Sequence, residues 1–164
     1  MIIYIGTDHK GFKLKEEIRN FLKNKGYEIA DLGNVRYDEN DDYVDFAVAV
    51  SKRIMVDYEN SRGILICGSG VGMSVAANKF PRIRAGLVMA PDQAFDAKGD
   101  DDMNVLVLAS DYTAPDTAKK IIMTWLGTPF KRETKYLRRL EKIDEIEKFV
   151  VSRVLDSEIS ELDS

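Results

Sequence analysis

The sequence is poor in residues that cross-link or anchor a chain: it holds one cysteine and no long apolar run. A single cysteine excludes an internal disulfide, and with it the small disulfide-stabilised secreted domains. A membrane span needs ~20 consecutive apolar residues, so no transmembrane segment is predicted. The start, "MIIYIGTDHKG", lacks the basic residues and the long apolar core of an export signal. We therefore expect a cytoplasmic protein.

The chain also lacks a large excess of either charge. Its 24 lysines and arginines are mixed among 28 aspartates and glutamates, for a formal net charge of -4. This balance gives no broad basic surface, so neither nucleic acid nor a membrane is a predicted partner. A length of 164 residues with 45% hydrophobic content is typical of one compact domain with a full core.

Short apolar runs alternate with helical intervals along most of the chain. The runs predict buried strands at residues 2–6, 28–33, 63–68, 85–89 and 104–109. Apolar spacing and stop signals predict helices over 11–26 and 42–59, after Gly72, around 93–98 and over 114–126. This alternation predicts an α/β fold, with a parallel sheet covered by helices on both faces.

A long helix is predicted from Tyr136 nearly to the end of the chain, with apolar residues three or four apart. Such a stripe must cover the chain's own domain or a partner subunit. We predict one domain over residues 1–150 and a C-terminal helical extension over 151–164, whose acidic end is expected to fray.

The stretch "ICGSGVGMS" places three glycines directly after a predicted strand. Gly68, Gly70 and Gly72 free the backbone to turn, so that amide N–H groups can point at one anionic oxygen. The alternative is a tight turn without function, because glycine loops have many false positives. A dinucleotide fingerprint fits poorly, since its third glycine would fall at Met73.

Cys67, just before this loop, has two interpretations. A lone cysteine at the end of a strand is most often a small buried core residue. Backbone dipoles of the glycine loop favour the other interpretation, because they can lower a thiol pKa from ~8.5 and produce a reactive thiolate. A papain-like site would need a histidine partner, and His9 follows the first strand without an obvious third member.

Asp8 and His9 follow the first predicted strand, and the carboxyl ends of parallel strands meet at one edge of a sheet. A carboxylate and an imidazole there can bind sugar hydroxyls or transfer protons. Asp8 could equally cap the following helix, with His9 a solvated loop residue.

Two charged stretches have solvated surfaces as their default interpretation. Asp100, Asp101 and Asp102 precede the last predicted strand, but adjacent aspartates do not all face one point and no histidine or cysteine accompanies them as a metal ligand. The basic stretch 131–142 could contact a phosphate, although acidic residues are interleaved in it.

Taken together, "TDHKGFKLK", "DYVDFA", "GILICGSGVGMSVAANK" and "WLGTPF" resemble the ribose-5-phosphate isomerase B family, which includes galactose-6-phosphate isomerase subunits. The resemblance runs from about residue 2 to residue 148, and 67–79 is its most specific part. It implies a three-layer, Rossmann-like α/β/α sandwich with a five-stranded parallel sheet. It also implies a cofactor-free, metal-free aldose–ketose isomerase of a sugar phosphate. The family forms homodimers or larger assemblies whose active sites draw residues from both chains.

The resemblance also implies roles for individual residues. Cys67 is the expected base that removes a proton beside the carbonyl, Ser69 donates to the enediolate oxygen, and Asp100 stands where the family has its ring-opening histidine. Asn78 is expected to be structural. The expected substrate-binding residues are Asp8, His9, Tyr43, Gly68, Gly70, Val71, Gly72, Asp101, Lys135 and Arg139.

The departures from the family pattern concentrate where the phosphate would bind. Asp111 replaces a frequent arginine, and Lys135 with Tyr136 replaces an arginine–histidine pair, while Arg139 matches. Like charges ~4 Å apart repel by about 4 kcal/mol at an effective dielectric of 20, so Asp111 bears directly on the choice of substrate. First expected is ribose 5-phosphate; the alternatives are another, unphosphorylated sugar, or a noncatalytic relative that binds a sugar or nucleotide.

Overall fold

The computed structural model of the chain describes the backbone of residues 1–162 and the side chains of residues 1–153. Two compact units are present, Met1–Phe130 and Lys131–Ser164. In the described residues no helix is both long and apolar enough to cross a bilayer.

The first unit alternates strands and helices, as the apolar pattern predicts. Its strands are β1 (Ile2–Thr7), β2 (Glu28–Asp31), β3 (Ser61–Cys67), β4 (Ala85–Leu87) and β5 (Val105–Ala109). Its helices are α1 (Phe12–Asn24), α2 (Tyr43–Val56), α3 (Val71–Ala77), α4 (Pro91–Asp101) and α5 (Pro115–Gly127), and the second unit holds α6 (Thr134–Leu162).

All strand pairs are parallel, and the strand order is β2-β1-β3-β5-β4. The chain leaves β1 toward one edge of the sheet and returns at β3 toward the other, so the strand order reverses between these two strands. In open α/β sheets, ligands bind at this reversal, outside the carboxyl ends of the strands. Thr7, at the end of β1, pairs with Ile66 of β3, which brings the residues after both strands together.

The core has two parts because successive side chains of a strand point to opposite faces. Ile64 and Ile66 of β3 pack with apolar residues of α1, α4 and α5, whereas Leu65 and Cys67 pack with residues of α2 and α3. Helices therefore cover both faces of the sheet. The predicted three-layer α/β/α fold is confirmed.

Several elements end a few residues from their predicted bounds, and two of them are extended by polar residues that apolar periodicity does not detect. β3 begins at Ser61, whose buried hydroxyl donates to the carbonyl of Asp57. α4 continues from Pro91 through Gly99 to Asp101, beyond the predicted interval 93–98. Polar residues thus extend both elements.

α6 runs without interruption through residue 150, where the sequence suggested a division of the chain. Within the described part of its surface, Ile146, Phe149 and Val150 are exposed. The division into 1–150 and 151–164 stays a prediction, and the expected fraying concerns an end whose side chains from residue 154 on lie outside the described ones.

Candidate active site

A cleft of about 420 Å³ lies at the carboxyl edge of the sheet, where β1 and β3 end side by side. This volume is in the range of small-molecule sites. Nine residues line it: Asp8, Lys10, Tyr43, Cys67, Gly68, Ser69, Val71, Gly72 and Asp111. All of them except Lys10 and Asp111, seven in total, were predicted from the sequence as site residues.

Cys67 ends β3 and is 5% exposed, with its thiol at the cleft. The backbone N–H groups of Gly70 and Met73 donate to its sulfur and favour the thiolate. Burial acts more strongly in the opposite direction, and the carboxylates of Asp8 and Asp111 add to it. The net result is a Cys67 pKa above the ordinary thiol value.

This result corrects the expectation that the loop lowers the thiol pKa. The expected amides are present, but desolvation of a thiolate at the end of a buried strand outweighs them. In the free protein at neutral pH, Cys67 is therefore mainly a neutral thiol. The interpretation as a buried core residue is confirmed, because Cys67 packs with residues of α2 and α3. Its thiol also faces the cleft, and the reactive role stays a prediction.

The glycine loop turns sharply and brings α3 close to α2. Gly70 has φ +76, a conformation that side-chain-bearing residues rarely adopt. Gly72 lies against Tyr43, since a Cβ on this glycine would be 2.6 Å from the tyrosine ring. The Ser69 hydroxyl accepts a long hydrogen bond of 3.4 Å from the Val71 amide, and both residues are exposed at the cleft. The glycines at positions 70 and 72 thus keep side chains out of the loop interior.

Asp8 is 6% exposed and lies both at the turn before α1 and at the cleft, although the N-cap of α1 is Gly11, so the capping expectation is not met and the site role stays a prediction. One carboxylate oxygen accepts the Gly11 N–H at 3.1 Å, which stabilises the turn that leads into α1. The carboxylate also lines the cleft beside Cys67. Burial raises the pKa of Asp8 above its ordinary value, and the hydrogen bond from Gly11 opposes that rise.

His9 is held by a residue that sequence reasoning missed. Its Nδ1 lies 2.7 Å from Oδ1 of Asp41, and its backbone N–H donates to the same oxygen at 3.0 Å. Asp41 stands in the polar loop between β2 and α2, in a run of acidic residues that gave no signal in the sequence. The interpretation of His9 as a solvated loop residue is therefore wrong, because its ring is paired and 25% exposed.

Asp111 faces the cleft as one half of an ion pair. Its carboxylate lies 3.7 Å from the ammonium of Lys10, and both side chains are about half exposed. The two flank Gly68, where an added Cβ would be 2.6 Å from Lys10 and 2.8 Å from Asp111. Lys10 was not among the predicted site residues, although its position directly after His9 could have indicated it.

The three aspartates before β5 lie away from this cleft in their own chain. Asp100 and Asp101 end α4, and Asp102 follows at the amino end of β5, whereas Cys67 pairs with Ala109 at the carboxyl end. The solvated-loop expectation is wrong for Asp102, which binds Arg84 at 3.0 Å and Lys98. Within the described residues no group of three or more histidine, cysteine or acidic residues is placed to bind a metal ion.

Lys135 and Arg139 belong to α6, in the unit Lys131–Ser164, rather than to the unit that carries the cleft. The ammonium of Lys135 lies 3.2 Å from Glu133 and 4.5 Å from the centre of the Tyr136 ring. The Arg139 guanidinium lies 5.6 Å from the same ring, and Lys131 approaches it at 5.5 Å. Three cations thus make cation–π contacts with one aromatic ring.

The site combines a thiol that accepts backbone hydrogen bonds with a buried carboxylate, and both lie at the strand-order reversal of a parallel sheet. This combination is typical of α/β enzymes that move protons on small molecules. A model of the ribose/galactose isomerase family matches residues 3–143. The chain belongs to this family.

Individual relatives agree with the family model. Ribose-5-phosphate isomerase B from Escherichia coli is 39% identical over 145 residues, which are 88% of this chain and 95% of the relative. The crystal structure of ribose-5-phosphate isomerase B from Mycoplasma genitalium with bound ribulose 5-phosphate has a TM-score of 0.87 and 39% identity, covering 90% of this chain and 96% of that one. Ribose-5-phosphate isomerase B from Clostridium thermocellum has a TM-score of 0.87 and 41% identity, covering 92% and 99%.

Proposed function

We propose that this protein interconverts ribose 5-phosphate and ribulose 5-phosphate. The observation that carries the proposal is the position of the Cys67 thiol. It accepts hydrogen bonds from the backbone N–H groups of Gly70 and Met73, in a cleft that Asp8 also lines. The bound ribulose 5-phosphate of the Mycoplasma genitalium relative supports the substrate class. The ribose/galactose isomerase family, to which this chain belongs, supports the reaction type.

In the proposed reaction Cys67 acts as base and then as acid. The thiolate removes the proton from the carbon beside the aldehyde of the opened sugar, and the electron pair of that C–H bond forms the enediolate. The hydroxyl proton of the second carbon passes to the former aldehyde oxygen, and the thiol returns its proton to the former aldehyde carbon, which gives the ketose. No atom is gained or lost, so the conversion is an isomerisation.

The raised pKa of Cys67 is compatible with this role. A thiolate of higher pKa is a stronger base toward a carbon-bound proton, although a smaller fraction of it is present at neutral pH. In the proposed reaction the Ser69 hydroxyl and amides of the loop that lines the cleft hold the developing oxyanion. A well-placed oxyanion donor is worth roughly 3 to 4 kcal/mol of the activation barrier.

The phosphate end requires positive charge that Asp111 does not supply. We propose that Lys10 offsets this carboxylate, since the pair lies at the cleft with no net charge. His9, Lys135 and Arg139 are the proposed phosphate-binding cations. The crowding of Lys131, Lys135 and Arg139 around Tyr136 supports the assignment of the last two.

The proposed active assembly is a homodimer with sites shared between chains. Asp100 lies at the amino end of the sheet, so it can open the sugar ring only at the cleft of a partner, where Asp101 would also bind the substrate. The exposed Ile146, Phe149 and Val150 of α6 are suited to cover by a second chain. The cytoplasm is the proposed location, because a free cysteine base stays reduced there.

An isomerase assay tests the proposal, with ribose 5-phosphate and unphosphorylated ribose as parallel substrates. Turnover of the phosphorylated sugar by the wild type, lost in Cys67→Ala, is expected. Turnover of ribose alone would favour the unphosphorylated alternative. Thermal stabilisation by a nucleotide, with no turnover of either sugar, would favour a binding protein instead.

A further inference from the structure

We infer that Asp41 is a positioning residue that holds His9 as an imidazolium cation for the anionic end of the substrate. This inference rests on the proposed function, because it takes the phosphate of the sugar as the group that His9 meets. Asp41 itself touches neither the cleft nor the reacting atoms among the described contacts, and it acts through His9.

The geometry around Asp41 is that of a fixed carboxylate. Its side chain is 5% exposed, and Oδ1 accepts both from the backbone N–H of His9 and from the imidazole Nδ1. Its other oxygen, Oδ2, accepts from the side-chain amide of Asn34 at 2.7 Å. Both oxygens therefore have partners, so the carboxylate cannot rotate away from His9 without breaking hydrogen bonds.

Asn34 is in turn held by a buried cation. The ammonium of Lys15, whose side chain is fully buried, donates to the Asn34 carbonyl at 2.7 Å and pairs with Asp31 at 2.9 Å. This chain of contacts runs from the first helix through the loop after β2 to the histidine. The position of His9 is thus set by α1 and by the β2–α2 loop together.

The contact with Asp41 determines which nitrogen of His9 remains for a ligand. Because the Nδ1–H donates a hydrogen bond to the carboxylate, Nε2 is the nitrogen that Asp41 does not contact. Tyr37 packs edge-on to the ring, with centroids 6.2 Å apart at 88°. The ring is therefore restrained by a carboxylate on one atom and by an aromatic contact.

The charges around His9 favour its protonated form. The hydrogen bond to Asp41 raises the pKa of His9 above its ordinary value, burial opposes this, Asp8 adds to the rise and Lys10 subtracts from it. Tyr37 is a further titratable group at the ring. Because the folded-state pKa is raised, the pairing stabilises the fold fully below the ordinary value of ~6.5 and is lost as pH rises through the raised value.

The test uses the fact that the sequence contains a single histidine, so its NMR titration needs no assignment. The wild-type imidazole should titrate above ~6.5, and Asp41→Asn should move the titration down toward ~6.5. Asp38→Asn is the matched control. It removes a carboxylate from the same loop, and the described contact of that carboxylate is to the backbone N–H of Asn40 rather than to His9. The backbone carbonyl of Asp38, which accepts from the Asp41 N–H, is unchanged by the substitution.

Ligand binding supplies a second readout, with sulfate as an anion whose charge does not change over the titration. An ordinary histidine is about one-tenth protonated at pH 7.5, so Asp41→Asn should weaken sulfate binding there by up to about tenfold and much less at pH 5.5. In the isomerase assay, the KM for the phosphorylated sugar should rise at pH 7.5 with little change in kcat. Asp38→Asn should match the wild type in all three measurements.

Each outcome bears on the inference separately from the proposed function. A wild-type histidine that titrates at or below ~6.5 would overturn it even if Asp41→Asn failed to fold. An unchanged titration in folded Asp41→Asn would overturn it as well. A raised titration in a protein that turns over no sugar would leave the His9–Asp41 pair established and count against the isomerase proposal alone.

Discussion

The glycine loop makes a quantitative prediction for Gly70→Ala. Gly70 is buried with φ +76, and a Cβ there would approach Leu87 more closely than the 3.0 Å below which neighbours must shift. The backbone conformation costs an alanine about 1 to 2 kcal/mol, and overpacking adds about 1 to 3 kcal/mol. The reduced freedom of the unfolded chain offsets about 0.4 to 1 kcal/mol of this, which leaves roughly 2 to 4 kcal/mol.

Gly26→Ala separates the two contributions. Gly26 has φ +85 and nothing within 4 Å of an added Cβ, so this variant carries the backbone cost without the steric one. We expect it to lose about 1 kcal/mol after the same offset. In a chain of this length that is about 2 to 4 °C in Tm, against roughly 5 to 15 °C for Gly70→Ala.

Thermal denaturation followed by circular dichroism measures both variants, and the isomerase assay follows them below their transitions. Gly70→Ala should also lose activity, because its amide and the Met73 amide donate to the Cys67 sulfur. Gly26→Ala, at the end of α1, should keep it. Equal losses of stability in the two variants would show that the contact with Leu87 is not the constraint at position 70.

Three further outcomes follow from the described charges. Asp102→Asn leaves the largely buried Lys98 without its carboxylate and should cost about 3 kcal/mol in urea denaturation, at the low end for a broken buried pair; an unchanged midpoint would contradict this. Lys10→Met leaves Asp111 facing the phosphate without its cation, and it should raise the KM for ribose 5-phosphate about tenfold. This is a part of the ~4 kcal/mol repulsion between two close charges, because solvent and salt screen the rest. The double variant with Asp111→Asn should recover the wild-type KM. Because burial raises the pKa of the Cys67 thiol, kcat should increase with pH between about 7 and 9; a flat profile would argue against a thiolate base.

The alternation of apolar runs and helical intervals was sufficient to predict every strand of the sheet and the helices that cover it. Burial on both faces makes parallel strands nearly uniformly apolar, and this signal is local. Among the five strands, the carboxyl ends of the two edge strands were predicted least accurately. β2 ends at Asp31 and β4 at Leu87, each two residues before the predicted end, although the next amide along still donates to the neighbouring strand. Asn78, expected to be structural, ties the end of α3 to β4 with bonds to both backbone groups of Ala85.

The site residues that directly follow a strand were predictable from the sequence. The contacts that form between two loops were not. Asp8 and Cys67 share an edge because β1 and β3 are neighbours, which the chain pattern implies. The pairing of Asp41 with His9 joins positions 32 residues apart through a loop without periodicity. The sign of the Cys67 pKa shift depends on how deeply the strand end is buried, a property of packing rather than of spacing.

Solvent exchange tests the central claim most directly. Ribose 5-phosphate is incubated with the protein in heavy water, and deuterium on the carbons next to the carbonyl is measured by NMR. Deuterium uptake by the wild type is expected, as is its loss in Cys67→Ser, because serine is close to cysteine in size but is a far weaker acid. Isomerisation without any uptake, or uptake undiminished in Cys67→Ser, would contradict the assignment of Cys67 as the base.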